Sequence, residues 1–189
     1  TQRKTPIEGV FGFIDLRLGL LDPVDLRGMP FPDAQTRTVN WFRPGFLPTS
    51  GRGLLFLDEF VEASPSMQGC ASQLVLNRRI GEYQLPDGWM VGAAGNELSH
   101  RASSRGMPKQ MENRFVHITA EVDVNGWVGW ALKKGIDMRV IAFIKFRSAL
   151  LHCFDPQDKG HAFASPRSWE FVSKMLKTSK DVDKGTRLA

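Results

Sequence analysis

Residues 53–59 read Gly53-Leu-Leu-Phe-Leu-Asp58-Glu59, an apolar run that ends abruptly in two adjacent carboxylates. An apolar run of this length is typical of a strand buried on both faces, as in a parallel sheet. In open α/β sheets, ligands bind at the carboxyl ends of the strands. The stretch therefore predicts a buried parallel strand with an acidic site at its end. The alternative interpretation is a core strand followed by a solvated turn.

Length and composition are those of an ordinary globular protein. The chain has 189 residues, 42% of them hydrophobic and 24% charged, which predicts one domain or one domain with a small appendage. No apolar run approaches the roughly 18 residues of a membrane span, and residues 1–8 lack the apolar core of a signal peptide. Cys70 and Cys153 are the only cysteines, too few for a disulfide framework. We therefore expect a cytoplasmic location and no membrane association.

The positive charge of the chain permits, but does not require, contact with a polyanion. The formal charge is +5 and the isoelectric point is near 9.5. Basic residues are spread along the sequence, with modest clusters at 101–105, 133–134 and 174–184. No aromatic RNA-recognition signature or helix-turn-helix pattern accompanies them. A solvated basic surface is therefore the favoured interpretation.

Strands and helices alternate through about residue 120, the pattern of a parallel α/β sheet. Ser64-Pro65 marks a helix start, because serine can cap a helix and proline suits its first position. The predicted strands are 11–17, 53–58, 82–85, 89–94 and 115–120, with a hairpin arm at 36–42 and helices at 65–78 and 109–113.

From residue 121 the predicted elements are helices. They run from 124 to 134 after Asp123, from Asp137 through His152, and from Ser165-Pro166 towards the charged tail. We therefore place a sheet domain at residues 1–120 and a small helical domain at residues 121–189.

Four chemically distinctive features follow one another along the chain. The first is Asp58-Glu59, and the second is Asn96 at the end of Met90-Val-Gly-Ala-Ala-Gly-Asn96. The third is Arg114, just before the predicted strand at Phe115, and the fourth is Arg167, at a predicted helix start. One acid can help to hold a metal ion while the other orients a water, which is the division of labour that nucleoside triphosphate hydrolysis needs.

This ordered set resembles the AAA+ ATPases, and more closely their MoxR-like and phage-associated relatives. Asp58 and Glu59 match the Walker B pair, Asn96 the sensor-1 position, Arg114 the arginine finger and Arg167 the sensor-2 arginine of the lid. The resemblance covers residues 11–176. It implies that Asp58 supports Mg²⁺ through water and that Glu59 polarises the attacking water. It implies that Asn96 orients that water or contacts the terminal phosphate.

The assignments have competing interpretations. Asn96 is also compatible with a residue that ends a strand and satisfies a turn. Arg167 opposes the dipole of its helix by only about a few tenths of a kcal/mol, a cost that a bound phosphate would remove. The arginines that compete with Arg114 are Arg78, Arg79, Arg101 and Arg105.

The resemblance also implies a fold, cofactors and partners. The fold class is α/β, with a parallel-sheet P-loop NTPase core of the AAA+ type and a small C-terminal helical lid. ATP and Mg²⁺ are the implied cofactors. The implied partners are identical subunits in a ring, such as a hexamer, and a protein client, with nucleic acid permitted but not required.

A phosphate loop of the form Gly-x-x-x-x-Gly-Lys-Ser/Thr is missing from the 189 residues. Lys4-Thr5 has no preceding glycine and lies too close to the strand at Phe11 for a phosphate-binding helix to intervene. The core is therefore predicted to be N-terminally incomplete or degenerate. We expect weak or absent ATP binding by this polypeptide alone. Calorimetric titration with Mg-ATP checks this expectation, and micromolar binding would contradict it.

A second departure from the MoxR-like pattern follows the acidic pair. Those proteins often continue with a hydrophobic residue, Asn and Arg, whereas Phe60 is followed here by Val61 and Glu62. A subunit contact through that arginine is therefore not expected, and the carboxylate chemistry is unaffected.

Two functions are compatible with these features. The first is an ATP-driven remodelling protein, in which Glu59 and a neighbour's Arg114 act on ATP bound between the sheet and the lid. The second is a non-catalytic module that keeps the scaffold and holds a protein or nucleic acid on its basic surface. Salt-sensitive polyanion binding that ignores ATP would favour the second function.

Overall fold

The computed structural model describes residues 10–96, 107–155 and 162–183, and the chain divides into two units, Thr1–Val116 and His117–Ala189. The strands of the first unit are β1 (Phe11–Arg17), β2 (Met29–Asp33), β3 (Thr38–Phe42), β4 (Arg52–Asp58), β5 (Arg79–Ile80), β6 (Tyr83–Gln84) and β7 (Trp89–Ala93). Its helices are α1 (Pro23–Arg27), α2 (Pro65–Asn77) and α3 (Lys109–Glu112), with a 3-10 turn at Leu18–Leu20. The second unit contains α4 (Val124–Lys133), α5 (Met138–Phe146), a 3-10 turn at Ser148–Leu151 and α6 (Pro166–Asp183).

Strands β1, β4 and β7 form a parallel three-stranded sheet in the order β1-β4-β7. The pairing places Phe13 beside Leu54 and Leu54 beside Met90, so these side chains share one face of the sheet. The apolar run therefore forms the central strand. The α/β fold with a parallel sheet, which the alternation of elements predicts, is confirmed.

The inner face of the sheet carries the core of the first unit. Its buried cluster includes Leu16, Leu55, Leu57, Met67, Leu74 and Trp89. Helix α2 contributes to this cluster and begins as predicted, because the Ser64 hydroxyl accepts the Met67 N–H at 3.2 Å and Pro65 occupies the first turn.

The outer face of the sheet is apolar and partly exposed. Phe13 and Met90 expose 62% and 60% of their surface, and Leu54 and Phe56 on β4 are half-buried. The Phe13 and Phe56 rings lie 6.0 Å apart, centroid to centroid. The prediction that this strand is buried on both faces is therefore wrong for the outer face. Side chains alternate along β4, and its alternate residues belong to the core cluster.

Strands β2 and β3 form an antiparallel hairpin, which confirms the predicted hairpin arm at 36–42. The Phe31 and Phe42 rings lie 4.7 Å apart, centroid to centroid. The Arg27 guanidinium lies 5.7 Å from the centre of the Trp41 ring. This cation–π contact connects the hairpin to the end of α1.

Strands β5 and β6 form a short antiparallel pair that contains Tyr83, the single tyrosine of the chain. Tyr83 is buried, and its hydroxyl donates to the Pro48 carbonyl at 2.7 Å. Burial raises the pKa of Tyr83 to about 12, against the opposing effect of the Arg43 and Arg78 charges.

An alkaline titration is expected to show this burial directly. The midpoint for Tyr83 should lie at about 12 in the folded protein and at about 10 in denaturant. Folding favours the neutral phenol of Tyr83. The contribution of Tyr83 to the free energy of unfolding is therefore complete below about pH 10 and is lost as the pH rises towards about 12. The ultraviolet absorbance of tyrosinate follows this one group. A folded-state midpoint at the denatured value would contradict the packing of β6.

The second unit is helical in its described residues, and its core includes Trp127, Ala131, Ile141, Ile144 and Leu151. Asp123 caps α4 by accepting the Gly126 N–H at 2.7 Å, and Asp137 caps α5 by accepting the Arg139 N–H at 2.9 Å. The Arg139 guanidinium donates to Asp137 at 3.0 Å and to the Leu176 carbonyl at 3.1 Å, which connects α5 to α6.

None of the helices in the described ranges combines the length and apolar character that crossing a bilayer requires.

Two predicted elements differ from the structure. The helix predicted through His152 ends at Phe146, because Arg147 leaves the helical conformation with φ −123° and ψ 66°. The strand predicted at 115–120 is not formed, and this segment pairs with no described strand. Val116 and Ile118 in it are exposed. A β-like composition does not make a strand unless a neighbour satisfies its backbone groups.

Candidate functional site

The pairing of β4 with β7 continues beyond the carboxyl ends of both strands. The Ala94 N–H donates to the Leu57 carbonyl, and the Phe60 N–H donates to the Ala94 carbonyl, each at 2.9 Å. These bonds hold residues 58–60 beside residues 94–96. The Asp58-Glu59 pair and Asn96 therefore lie at one edge of the sheet, within the first unit.

Asp58 is the last residue of β4 and is half-buried. By strand alternation it lies on the outer face with Leu54 and Phe56. Its Oδ1 atom accepts the Glu59 N–H at 3.0 Å. The adjacent backbone therefore orients the carboxylate at the point where the strand ends.

Glu59 has a left-handed backbone with φ 56°, which is uncommon for a residue other than glycine. Its carbonyl accepts the N–H groups of Glu62 and Ala63, each at 3.2 Å, so a tight turn follows the strand. A Cβ atom added at Gly19 would lie 2.8 Å from Glu59 Oε2, so glycine leaves room for this carboxylate. Backbone strain of this kind clusters at functional sites, where surrounding contacts hold it in place.

The turn after Glu59 is anchored to α2 by Gln68, whose exposure is only 5%. The Gln68 amide nitrogen donates to the Phe60 carbonyl at 3.2 Å and to the Val61 carbonyl at 3.4 Å. The sequence patterns did not identify Gln68 as part of the site. The signal that could have identified it is a glutamine beside the inward-facing Met67 of α2.

Asn96 lies beyond β7 and is exposed, but its side chain has a specific partner. The Asn96 N–H and its Nδ2 atom both donate to Glu62 Oε1, at 3.3 Å and 2.8 Å. Because Glu62 belongs to the turn after β4, this contact joins the two strand ends. In the sequence Glu62 is notable only as a departure from the MoxR-like pattern. The pairing is invisible there because 34 positions separate the two residues.

Arg114 is exposed, and the backbone around it is anchored in the first unit. The Arg114 N–H donates to the carbonyl of fully buried Met111 at 2.9 Å. On its other side, Phe115 packs edge-on against Phe60, with 6.3 Å between ring centroids. The exposed Arg114 therefore directly precedes Phe115, whose ring contacts Phe60, the residue that follows Glu59.

Arg78, one of the arginines that compete with Arg114, has a structural role. It ends α2 in a left-handed conformation, with φ 55°. Its Nη2 atom donates to the Pro86 and Trp89 carbonyls, at 2.7 Å and 2.8 Å. The competitors Arg101 and Arg105 lie outside the described residues.

Arg167 lies in the first turn of α6, in the second unit, and is exposed. The start of this helix is fixed by reciprocal bonds around it. The Ser168 N–H donates to Ser165 Oγ at 3.1 Å, and the Ser165 N–H donates to Ser168 Oγ at 2.9 Å. The predicted helix start at Ser165-Pro166 is confirmed.

The described residues of the first unit bring two carboxylates and one amide together at the edge of the sheet. In nucleotide sites Mg²⁺ keeps several waters and uses one or two carboxylates together with the phosphates. The half-buried Asp58 carboxylate suits such a water-mediated contact. Across the described ranges, no group of three or more His, Cys, Asp or Glu side chains could hold a metal by itself. The 189 residues contain no glycine-rich phosphate loop of the form Gly-x-x-x-x-Gly-Lys-Ser/Thr.

These elements define a mixed α/β protein. Its first unit has a parallel three-stranded sheet whose carboxyl edge bears two acids and an amide, and its second unit is helical in the described residues. This architecture is consistent with a P-loop NTPase-like core.

Solved structures of known proteins include chains that are similar to this one. The chain is similar to the crystal structure of NtrX from Brucella abortus in complex with ADP, with a TM-score of 0.48 and 13% sequence identity. The match covers 89% of this chain and 40% of the NtrX chain, so this chain spans less than half of that protein's length. No protein-family model and no curated protein matches the chain.

Proposed function

We propose that the chain is part of an AAA+ ATPase of the MoxR-like type, in which ATP hydrolysis drives the remodelling of a protein or complex. The observation that carries this proposal is the meeting of Asp58, Glu59 and Asn96 at the carboxyl edge of two neighbouring parallel strands. Ligands of open α/β sheets bind at that edge. The MoxR-like assignment rests on the motifs of the sequence.

Each of the three side chains has a distinct task in this proposal. Glu59 accepts a proton from, or polarises, the water that attacks the terminal phosphate. Asp58 holds Mg²⁺ through water, and the ion neutralises charge on the phosphates when it is bound. Asn96 adds a polar contact without adding charge, which keeps a polyanionic substrate from being repelled further.

The phosphate-binding element is proposed to come from outside these 189 residues. Strand β7 is an edge of the described sheet, and a further parallel strand at its free side would end beside Asn96. A loop after that strand, opening a helix, would present backbone N–H groups to phosphate at this edge. The exposed Phe13 and Met90 on the outer face support this proposal, because parallel sheets are normally covered on both faces.

Arg114 is proposed to act on ATP bound to a neighbouring subunit of a homo-oligomeric ring. An exposed guanidinium on an anchored backbone suits a residue that stabilises transition-state charge across an interface. Arg167 is proposed to contact phosphate from the helical unit.

Two free cysteines, Cys70 and Cys153, fit the reducing cytoplasm in which we place the protein.

Mixing two inactive variants of the intact protein tests hydrolysis and the ring together. Glu59→Gln removes the base and Arg114→Ala removes the finger, so each variant alone is expected to lose most phosphate release from Mg-ATP. In mixed rings, some interfaces combine an intact Glu59 with a neighbour's intact Arg114, and part of the activity should return.

Two results would contradict these proposals in different ways. Active wild-type protein with no recovery on mixing would exclude Arg114 as a residue acting in trans. Wild-type intact protein that releases no phosphate would exclude the ATPase. If it then bound polyanions in a salt-sensitive manner regardless of ATP, the non-catalytic binding module would be the better account.

A further inference from the structure

The contact between Glu62 and Asn96 determines which end of the Asn96 amide is available for chemistry. An asparagine side chain has a donor end, Nδ2, and an acceptor end, Oδ1, while a carboxylate accepts only. The Asn96 N–H and Nδ2 converge on Glu62 Oε1, at 3.3 Å and 2.8 Å. Because the carboxylate requires a donor, the network assigns Nδ2 to Glu62 and turns Oδ1 away from it.

Glu62 is held in place by the turn that carries it. Its N–H donates to the Glu59 carbonyl at 3.2 Å, and the preceding carbonyl, that of Val61, accepts from the buried Gln68 side chain at 3.4 Å. The Val61 side chain also packs closely on Gly95, where an added Cβ would lie 3.2 Å from Val61 Cγ1. The turn and the residue before Asn96 are therefore packed together, which fixes the two partners relative to each other.

The two ends of the amide suit different tasks. A free Nδ2 group would donate to a phosphate oxygen, whereas a free Oδ1 atom accepts a hydrogen bond from water. The sequence alone leaves both tasks open for Asn96. The Glu62 contact occupies the donor end, so the geometry favours a water-orienting role.

We propose that Glu62 is a positioning residue that fixes the Asn96 amide so that its carbonyl oxygen accepts a hydrogen bond from the attacking water. This inference rests on the proposed ATPase function. Orientation of the water matters in the transition state and little in ATP binding. Loss of Glu62 should therefore lower kcat and leave KM for ATP nearly unchanged.

The test measures steady-state ATP hydrolysis by the intact protein and its Glu62→Ala variant. We expect kcat to fall by about tenfold, since small misplacements of reacting groups have effects of this order or larger. We expect KM for ATP to stay within about twofold, because ground-state binding is unchanged. The melting temperature, measured in parallel, reports whether the variant is folded.

A variant pair with donor and acceptor exchanged separates positioning from simple packing. Asn96→Asp alone places two carboxylates together and should lower kcat. Adding Glu62→Gln restores a hydrogen bond, because the glutamine amide donates to one oxygen of the introduced carboxylate while the other oxygen remains free to accept from water. The double variant should recover kcat relative to Asn96→Asp, which is a coupling that a double-mutant cycle measures. This pair also tests the inference if Glu62→Ala does not fold.

Wild-type kcat in Glu62→Ala would overturn the inference, and so would equal losses in kcat and in ATP affinity. A double variant no more active than Asn96→Asp would overturn it as well. These outcomes leave the ATPase proposal standing, because the wild-type protein hydrolyses ATP in each of them. A wild-type intact protein that releases no phosphate removes the ATPase proposal and this inference together.

Discussion

Replacing Glu59 with glutamine in the intact protein is expected to slow ATP hydrolysis by at least about a hundredfold while ATP still binds. Glutamine has the shape of glutamate but does not take a proton from water. The left-handed turn at residue 59 and the space at Gly19 accommodate either side chain equally well. Phosphate release and equilibrium ATP binding, measured on the same preparation, separate the chemical step from affinity.

Glu82→Gln is the matched control for this experiment. Glu82 is exposed between β5 and β6, away from the sheet edge that bears Glu59. The same chemical change there is expected to leave hydrolysis at the wild-type rate. Hydrolysis by Glu59→Gln that is as fast as by Glu82→Gln would contradict the role assigned to Glu59.

Gly53→Ala is expected to destabilise the first unit by about 3 kcal/mol or more, the upper part of the range for overpacking. Gly53 pairs with Gly12 of β1 on one side and with Trp89 of β7 on the other. An added Cβ would clash with the Gly12 carbonyl oxygen and lie 2.8 Å from both the Gly12 carbonyl carbon and Trp89 Cζ3. Because the clash is with the backbone of the neighbouring strand, only separation of β1 from β4 relieves it.

Gly69→Ala provides the control for the glycine substitution. Gly69 lies inside α2, and nothing is within 4 Å of the position its Cβ would take. Alanine should therefore stabilise the helix by roughly 0.5–1 kcal/mol. Hydrogen exchange of the β4 amides measures the stability of the first unit by itself. Equal protection in Gly53→Ala and wild-type protein would contradict the packing of the three strands.

Local patterns in the sequence were sufficient to predict most of the elements that position the site. The apolar run before Asp58 predicts a parallel strand because a continuous run of this length is typical of such strands. Ser64-Pro65 identifies the start of α2 because capping depends on adjacent residues. Ser165-Pro166 identifies the start of α6 for the same reason.

The features that sequence analysis missed depend on contacts between distant positions. The segment at 115–120 has a strand-like composition, but a strand also requires a partner. In the sequence Arg78 competes with Arg114 as the candidate arginine finger, whereas in the structure its guanidinium donates to the Pro86 and Trp89 carbonyls. Glu62 differs from the MoxR-like pattern, and the sequence gives no sign of its partner. In the structure its carboxylate accepts a hydrogen bond from Asn96, which is 34 positions away.

The most direct test of the proposed ATPase is to locate the Mg-ATP site on the intact protein. Paramagnetic Mn²⁺ replaces Mg²⁺ in the presence of ATP. Resonances of nuclei close to the metal broaden strongly, and the broadening falls steeply with distance from the metal. We predict broadening centred on the backbone amides of Asp58, Glu59 and Asn96. Broadening centred on a different surface, or none at saturating ATP, would contradict an ATP site at the carboxyl edge of β4 and β7.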